Sequence, residues 1–336
     1  MRTTVGFLAA LTLAFALPAL AQTPPGQLKG GKPYEIPSWF KVGFLDFKSD
    51  VADARQQGKH VIAFMHLDDC PYCERMLKES FVKGENKEFM QKHFDVIGVN
   101  IRGDLDVAWI DGKHYTERAL AQHLKIVATP TIVFLDLDAN TVLRLNGYRD
   151  PQAYRYALEY VQAKAYREQP FAAWLAAREK PAVYTLRDHP QFTKATNFKG
   201  DKKPLAILFE DRNCGECARF HEKTLSHPDV VAEMKKLRFV RLDTDSKEPI
   251  VDLDGKTTTA GEWAKALGLS YRPSLALFNE GRQILLIDGV LYHFHLKERL
   301  RYTSGAFYKQ YPSMSAYGAA RREELLKQGI NIDFSE

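Results

Sequence analysis

The sequence has few cysteines, only a small excess of one charge, and no long apolar run after its N-terminal segment. Its 336 residues include four cysteines, too few to crosslink a chain of this length throughout. The 47 Lys and Arg residues against 42 Asp and Glu residues give a net charge of +5, which offers no basis for a nucleic-acid surface. With 45% hydrophobic and 12% aromatic residues, the composition excludes a disordered, collagenous or coiled-coil chain. The length suggests two globular domains.

The first residues follow the pattern of a secretory signal peptide. Arg2 supplies a positive start, residues 5–17 form an apolar stretch, and an A-x-A cleavage site ends at Ala21. The stretch is shorter than the roughly 20 apolar residues that a membrane-spanning helix needs. We therefore expect residues 1–21 to be cleaved off and the mature protein to be exported. In a Gram-negative bacterium its compartment is the periplasm, where disulfide chemistry is allowed.

An internal repeat organises the rest of the chain. Two C-x-x-C motifs stand 144 positions apart, each after a short apolar run: Cys70-Pro71-Tyr72-Cys73 and Cys214-Gly215-Glu216-Cys217. Two further landmarks recur at an offset of 143, namely Asp-Gly-Lys at 111–113 and 254–256, and the prolines Pro130 and Pro273. This agreement predicts a tandem duplication of one domain. We expect a first domain over residues 22–168, and a second over 169–336 that includes the connection.

Within each copy, apolar runs of strand length alternate with helical periodicity, which predicts an α/β fold. Strands are expected at 61–65, 94–99 and 131–135, and at 205–209, 237–242 and 274–278 in the second copy. Helices are expected after each cysteine pair, before each proline, and at 153–166. In each copy, Asp-Gly predicts a turn in an inserted hairpin. We also expect the second copy to open with a helix between 169 and 203, and a strand to carry His293 and His295 on one face.

A strand that runs into C-x-x-C at a helix start, with a proline before a later strand, resembles the thioredoxin fold. The first copy is similar to exported bacterial thioredoxin-like proteins, including the thioredoxin of the Sox sulfur-oxidation system. The residues that carry this similarity are Asp111-Gly112-Lys113, Ala128-Thr129-Pro130-Thr131 and Gly147-Tyr148. The resemblance implies two tandem thioredoxin-like domains, each with a central mixed sheet flanked by helices. It also implies that Pro130 and Pro273 are cis and lie against the cysteines, so that Thr129 and Arg272 present their backbone to a substrate.

The cysteine pairs suit thiol–disulfide exchange. A cysteine at a helix N-terminus feels the positive end of the helix dipole, which stabilises its thiolate. Cys70 is then the nucleophile and Cys73 the resolving thiol, with Cys214 and Cys217 in the same roles. Such an oxidoreductase needs no organic cofactor and no metal. Its expected partners are a disulfide-containing protein or small sulfur compound and a membrane thiol-relay electron donor, with no nucleic acid.

Other functions stay open on the sequence alone. The alternative within this chemistry is a disulfide oxidase or isomerase whose two domains grip one substrate. Either C-x-x-C pair could also form a purely structural disulfide. Cys214, Cys217 and His221 also have the C-x-x-C-x-x-x-H spacing of a zinc or copper(I) site, although no fourth ligand is evident.

The surroundings of the cysteines depart from the thioredoxin pattern. Thioredoxins carry a buried carboxylate six residues before the first cysteine, where this chain has Phe64 and Leu208. The nearest titratable candidates for proton transfer are His66 and Glu210.

Carboxylates also stand close to the first cysteine along the chain. The acidic residues next to the first motif are Asp68, Asp69 and Glu74. In the second copy, Glu210, Asp211 and Glu216 oppose the single cation Arg212. Negative charge disfavours a thiolate, so this pattern predicts a reductase rather than an oxidase.

Overall fold

The computed structural model describes residues 24–82, 84–178 and 181–335. The expected signal peptide, residues 1–21, and its cleavage site lie outside the described residues. In the part of the chain that is described, no helix combines the length and apolar character needed to cross a membrane.

The first unit is a four-stranded mixed sheet with helices packed on both faces. Its sheet has the order β3-β2-β6-β7, with β2 and β3 parallel and the other neighbours antiparallel. The elements up to residue 176 are β1 (Leu28–Lys29), α1 (Phe47–Gln56), β2 (His60–His66), α2 (Pro71–Met76), α3 (Glu85–His93), β3 (Phe94–Asn100), β4 (Asp106–Ala108), β5 (His114–Thr116), α4 (Glu117–His123), β6 (Thr131–Leu135), β7 (Thr141–Asn146), α5 (Pro151–Gln162) and α6 (Phe171–Ala176).

The second unit repeats this arrangement, with the sheet order β13-β12-β8-β9 and a parallel β8–β9 pair. Its elements are β8 (Leu205–Glu210), α7 (Cys217–Arg219), α8 (Pro228–Met234), β9 (Arg238–Asp243), β10 (Ile250–Val251), β11 (Thr257–Thr258), α9 (Ala260–Ala266), β12 (Ser274–Asn279), β13 (Arg282–Ile287), α10 (His293–Ser304), α11 (Met314–Lys327) and β14 (Ile332–Asp333). The two inserted hairpins, β4–β5 and β10–β11, enclose the predicted Asp-Gly turns. The predicted fold class is confirmed.

Strands β2 and β8 are buried on both faces because each alternates between two cores. In β2, Ile62 and Phe64 point into the core that holds the cysteines, whereas Ala63 and Met65 point into the core under α1 and α4. This is why both strands appear in the sequence as continuous apolar runs. The cores on the cysteine side of the two sheets form one cluster that is continuous across the two units.

Two expectations about local structure are wrong. His293 and His295 lie at the start of helix α10, not on a strand. The buried residues that follow have helical spacing: Leu296, Leu300 and Thr303. This longer helical pattern decides the structure over the short alternation of the two histidines. The helix expected to open the second copy between 169 and 203 is not found in that role: the helix in the described part of this range is α6, and it packs on the first unit.

The boundary between residues 168 and 169 stays a prediction. Helix α6, which follows it, packs on α5 of the first unit, with 5.4 Å between the ring centroids of Tyr160 and Trp174.

The chain termini add a feature that the sequence did not indicate. Strand β1 pairs in parallel with β14, so the N-terminal segment crosses to the end of the second unit. The same segment then packs Trp39 and Phe40 against the first core. The two units are therefore joined by contacts of the chain ends as well as by the interface between them.

A buried ion pair crosses that interface. Nη2 of Arg149, in the first unit, lies 2.7 Å from a carboxylate oxygen of Asp288 in the second. Its guanidinium also lies 4.7 Å from the ring centroid of Tyr271, and only 3% of its side chain is exposed. Asp288 in turn accepts hydrogen bonds from the backbone N–H groups of Ser270 and Tyr271, in the loop before Pro273.

Replacing Arg149 with methionine is expected to lower the free energy of unfolding by about 3–5 kcal/mol, because the Asp288 carboxylate is left without its buried counter-ion. The matched control is Arg55→Met, which breaks an exposed ion pair with Asp138 and should cost less than about 1 kcal/mol. Urea unfolding with both disulfides intact measures the two losses. Equal losses would show that the buried interdomain pair contributes no more to the free energy of unfolding than the exposed pair does.

Candidate active site

The first C-x-x-C pair lies where β2 passes into α2. Cys70 is the N-cap of α2, and its Sγ accepts a hydrogen bond from the backbone N–H of Cys73 at 3.1 Å. Pro71 occupies the first turn, where a missing N–H costs nothing. The two cysteines form a disulfide, with their Cα atoms 5.2 Å apart. The sulfur of Cys70 therefore sits at the positive end of the helix, as a nucleophilic thiolate requires.

Thr129 and Pro130 lie against this pair. The peptide bond between them is cis, as the resemblance implies. The Thr129 hydroxyl lies 3.3 Å from Sγ of Cys70 and donates a hydrogen bond to it. A small hydroxyl side chain therefore stands directly beside the predicted nucleophile.

The second pair has a different relation to its helix. Cys214 and Cys217 form a disulfide with Cα atoms 5.5 Å apart, but α7 begins only at Cys217, and Glu216 is its N-cap. Both cysteines pack against Tyr184 from the connection. Cys214 thus precedes the helix instead of capping it, unlike Cys70.

Arg272 precedes Pro273 in a cis peptide bond, but its side chain is tied to its own unit. Its Nε lies 3.2 Å from the hydroxyl of Thr244 and 3.4 Å from a carboxylate oxygen of Asp211. This cation is therefore already paired at the edge of the second site.

Of the two candidate proton carriers, Glu210 has the clearer geometry. It is fully buried at the end of β8, and a carboxylate oxygen lies 2.9 Å from Nε2 of His221. His66 bonds the hydroxyl of Tyr34 at 3.1 Å, and burial lowers the pKa of its imidazole. Sequence reasoning named Glu210 but missed its pairing with His221, which lies in the helical segment after Cys217.

The contact between Glu210 and His221 bears on the alternative of a zinc or copper(I) site. His221 is engaged by a carboxylate, and among the described residues no group of three or more His, Cys, Asp or Glu side chains is placed to hold a metal ion. The arrangement offers no specific support for a metal site at the C-x-x-C-x-x-x-H sequence.

The two C-x-x-C motifs are connected through a buried ion pair that the sequence did not reveal. Nη2 of Arg75, two residues after Cys73, lies 2.7 Å from a carboxylate oxygen of Glu216, between Cys214 and Cys217. Each side chain is only 9% exposed. Burial raises the pKa of Glu216, and Arg75 opposes this shift.

The guanidinium of Arg75 has further partners in its own unit. It bonds a carboxylate oxygen of Glu79 at 3.0 Å and lies 4.1 Å from the ring centroid of Tyr148. Although burial acts to lower it, the pKa of Arg75 is raised overall by Glu216. The cation is therefore held between a carboxylate of each unit.

The second unit also covers the residue between the first two cysteines. The ring of Tyr72 stacks on Tyr292 with 4.2 Å between centroids, and its hydroxyl accepts a hydrogen bond from the backbone N–H of Tyr292 at 2.8 Å. The hydroxyl also lies 2.9 Å from Nδ1 of His295, whose pKa desolvation lowers to about 3. Tyr72 can thus donate to a neutral imidazole, and the first motif is locked against α10.

The profile of the thioredoxin-like domain matches residues 47–162 and 192–304, which is more than half of the chain. This chain belongs to the thioredoxin-like domain family. Both matched segments contain a C-x-x-C pair and a cis-proline. No curated protein sequence matches it significantly.

Parts of this chain are similar to solved structures of thioredoxin-fold proteins. A thioredoxin-fold protein from Helicobacter pylori is 26% identical over 33% of this chain and 74% of its own, with a TM-score of 0.30. A thioredoxin from Thermus thermophilus is 22% identical over 42% of this chain and 89% of its own, with a TM-score of 0.28. The reduced C-terminal domain of DsbD from Neisseria meningitidis is 19% identical over 30% of this chain and 82% of its own, with a TM-score of 0.25.

The family and the two cysteine pairs together make this thioredoxin-like protein a thiol–disulfide oxidoreductase. Its two motifs lie at the ends of corresponding strands, β2 and β8, each followed by a helical segment. The chemistry that this geometry allows is the transfer of two electrons between a dithiol and a disulfide.

Replacing Arg75 with glutamine is expected to destabilise the protein in a pH-dependent way. Without the guanidinium, the pKa of Glu216 rises further above its value in the unfolded chain. Since the folded state then binds the proton more tightly than the unfolded state, stability falls as the pH rises. We expect Arg75→Gln to cost about 3–5 kcal/mol at pH 8 and distinctly less at pH 5, as measured by urea unfolding.

The double variant Arg75→Gln/Glu216→Gln is the control for this experiment. It removes both buried charges, and it should recover most of the loss at pH 8. Glu79 loses its arginine in both variants, but it is 35% exposed and keeps its hydrogen bond from Tyr148. A penalty for Arg75→Gln that is equal at both pH values would contradict the ion-pair explanation.

Proposed function

We propose that this protein is an exported disulfide reductase that acts on protein or small sulfur-compound disulfides, mainly through Cys70 and Cys73. The observation that carries the proposal is the position of the Cys70 sulfur, at the N-terminus of α2 and 3.3 Å from the hydroxyl of Thr129 beside cis-Pro130. The sulfur of the proposed nucleophile therefore lies both at the positive end of the helix dipole and beside the loop that is proposed to face the substrate. Thr129 and Pro130 in the first site, and Arg272 and Pro273 in the second, are the proposed substrate-binding residues.

The reaction proceeds in two exchanges. The Cys70 thiolate attacks one sulfur of the substrate, and the other leaves as a thiolate that takes up a proton. The Cys73 thiolate then attacks Cys70, which releases the second substrate sulfur and closes the Cys70–Cys73 disulfide. Two electrons pass to the substrate, and a dithiol donor must return them. A membrane thiol-relay protein is the donor that suits an exported reductase.

Export rests on the sequence of the N-terminal segment, with its positive start, apolar stretch and A-x-A site. In a Gram-negative bacterium the protein would work in the periplasm. The similarity of the first copy to the Sox-system thioredoxin supports small sulfur compounds as substrates alongside proteins.

The reductive direction rests on the charges around Cys70. Asp69 lies 3.9 Å from the guanidinium of Arg102, with both side chains more than half exposed. Asp68 is bonded by the neutral amide of Asn100. Because these carboxylates are only weakly neutralised, they oppose the thiolate that the helix dipole favours. A less stabilised thiolate makes the dithiol a better reductant.

The reduction potential of the Cys70–Cys73 pair is therefore expected to lie nearer the roughly −270 mV of thioredoxin than the roughly −120 mV of the oxidant DsbA. Equilibration with glutathione buffers, followed by trapping of free thiols, measures it. The Cys214→Ser/Cys217→Ser variant isolates the first pair. A potential above about −170 mV would assign the protein to the oxidases instead.

The two pairs are expected to contribute unequally to general disulfide turnover. Thr129 is small and contacts Cys70, whereas the corresponding Arg272 is bulky and tied to Asp211. In the insulin reduction assay with dithiothreitol, Cys70→Ser should remove most of the acceleration and Cys214→Ser should retain most of it. Equal losses in the two variants would refute this division of labour.

A further inference from the structure

A cavity of about 370 Å³ lies between the two units, and Cys214 lines it. Its walls come from three parts of the chain. Ala153 and Tyr156 come from α5 of the first unit, Val183 from the connection, and Tyr271 from the loop before Pro273. A volume of this size is typical of small-molecule sites. The second cysteine pair therefore faces a half-open pocket that its own thioredoxin unit does not build alone.

Hydrogen bonds fix these walls around the sulfur. Asp150, the N-cap of α5, accepts a hydrogen bond from the hydroxyl of Tyr271 at 2.8 Å, which joins the first unit to the loop before Pro273. The backbone N–H of Val183 donates to the carbonyl of Arg212 at 2.8 Å, which holds the connection against the loop before Cys214. An extended polypeptide needs an open groove along the reactive sulfur. Here residues of α5 from the first unit form one wall beside Cys214 and narrow such a groove.

The charged and apolar groups that line the cavity favour some ligands over others. The carboxylates of Asp150 and Asp211 both border the cavity, and the cation of Arg272 is already paired with Asp211. An anionic ligand would thus approach an excess of negative charge. Ala153 and Val183 offer apolar surface to an uncharged one.

We propose that this cavity is the substrate site of Cys214, and that it takes small uncharged disulfides with an apolar or aromatic arm. The inference rests on the proposed function of the second pair as a thiol–disulfide site. The Cys214 thiolate attacks one substrate sulfur, and the other leaves as a thiolate and is protonated. Cys217 then attacks Cys214, releases the second thiol and closes the Cys214–Cys217 disulfide. The pair loses two electrons and the substrate gains them.

The experiment uses the full chain with Cys70→Ser/Cys73→Ser, fully reduced, in single-turnover stopped flow. One probe is 4,4′-dithiodipyridine, which is neutral and aromatic, and the other is glutathione disulfide, which is anionic. Each rate constant is divided by that of dithiothreitol with the same probe, which removes the intrinsic reactivity of the disulfide. We expect the normalised rate for the neutral probe to be higher by about tenfold or more, the size of effect that pocket contacts give.

Two substitutions test whether the cavity itself is responsible. Ala153→Leu narrows it, and we expect a loss of about tenfold in the rate with dithiodipyridine without a change in the potential of the Cys214–Cys217 pair. The matched control is Ala119→Leu, because Ala119 occupies the same third position of α4 and is bonded by its N-cap Thr116 in the same way.

A second matched pair guards against a folding defect in Ala153→Leu. Val183→Asp adds a carboxylate at the cavity, and we expect it to slow the neutral probe as well. Its control is Val42→Asp, at another exposed valine outside any helix or strand.

Each other outcome overturns the inference. Normalised rates that are equal for the two probes, or variants no slower than their controls, would show that the cavity does not select the substrate. The reductase function of Cys70 would stand in that case. If Cys214 reacts with neither probe, the second pair has no exchange role, while insulin reduction by Cys214→Ser protein reports separately on the first.

Discussion

The ion pair between Arg75 and Glu216 is the constraint on which the relation between the two halves depends. Burying two charges costs several kcal/mol per ion before their attraction is counted. Arg75 recovers much of that cost by touching Glu79 and the face of Tyr148 as well. A hydrophobic contact could hold two surfaces in many orientations, whereas the 2.7 Å contact between Arg75 and Glu216 forms only when the two units meet in one orientation. This buried polar pair therefore adds specificity to the interface.

Most of the fold could be predicted from the sequence because each element carries a local signal. Strands β2 and β8 are apolar runs of the right length, the Asp-Gly turns lie in the hairpins β4–β5 and β10–β11, and β6 spans the predicted residues 131–135. The repeat offset placed the two cysteine pairs in equivalent positions. Because these signals are local in the chain, they can be interpreted without any knowledge of tertiary contacts.

The sequence could not predict what the two units do to each other. Glu216 looked like a carboxylate opposing a thiolate, because its partner Arg75 lies 141 positions earlier and only the interface brings them together. His295 was placed on a strand for its alternation, whereas it begins α10 and contacts Tyr72 of the first motif. Arg272 stands where the first copy has the small Thr129, and only the structure shows that its side chain is tied to Asp211. In each case the deciding contact is tertiary.

The same interface makes the two sites unequal although their folds are alike. Tyr72 stacks on Tyr292, which fixes a residue between the first two cysteines. The sulfur of Cys70 contacts the hydroxyl of Thr129 on another side. On the other side of the interface, Ala153 and Tyr156 of α5 form one wall of the half-open pocket at Cys214. A duplicated domain that met no partner would keep two open sites. Here each copy becomes part of the other's surroundings, so the two cysteine pairs meet a substrate disulfide in different environments.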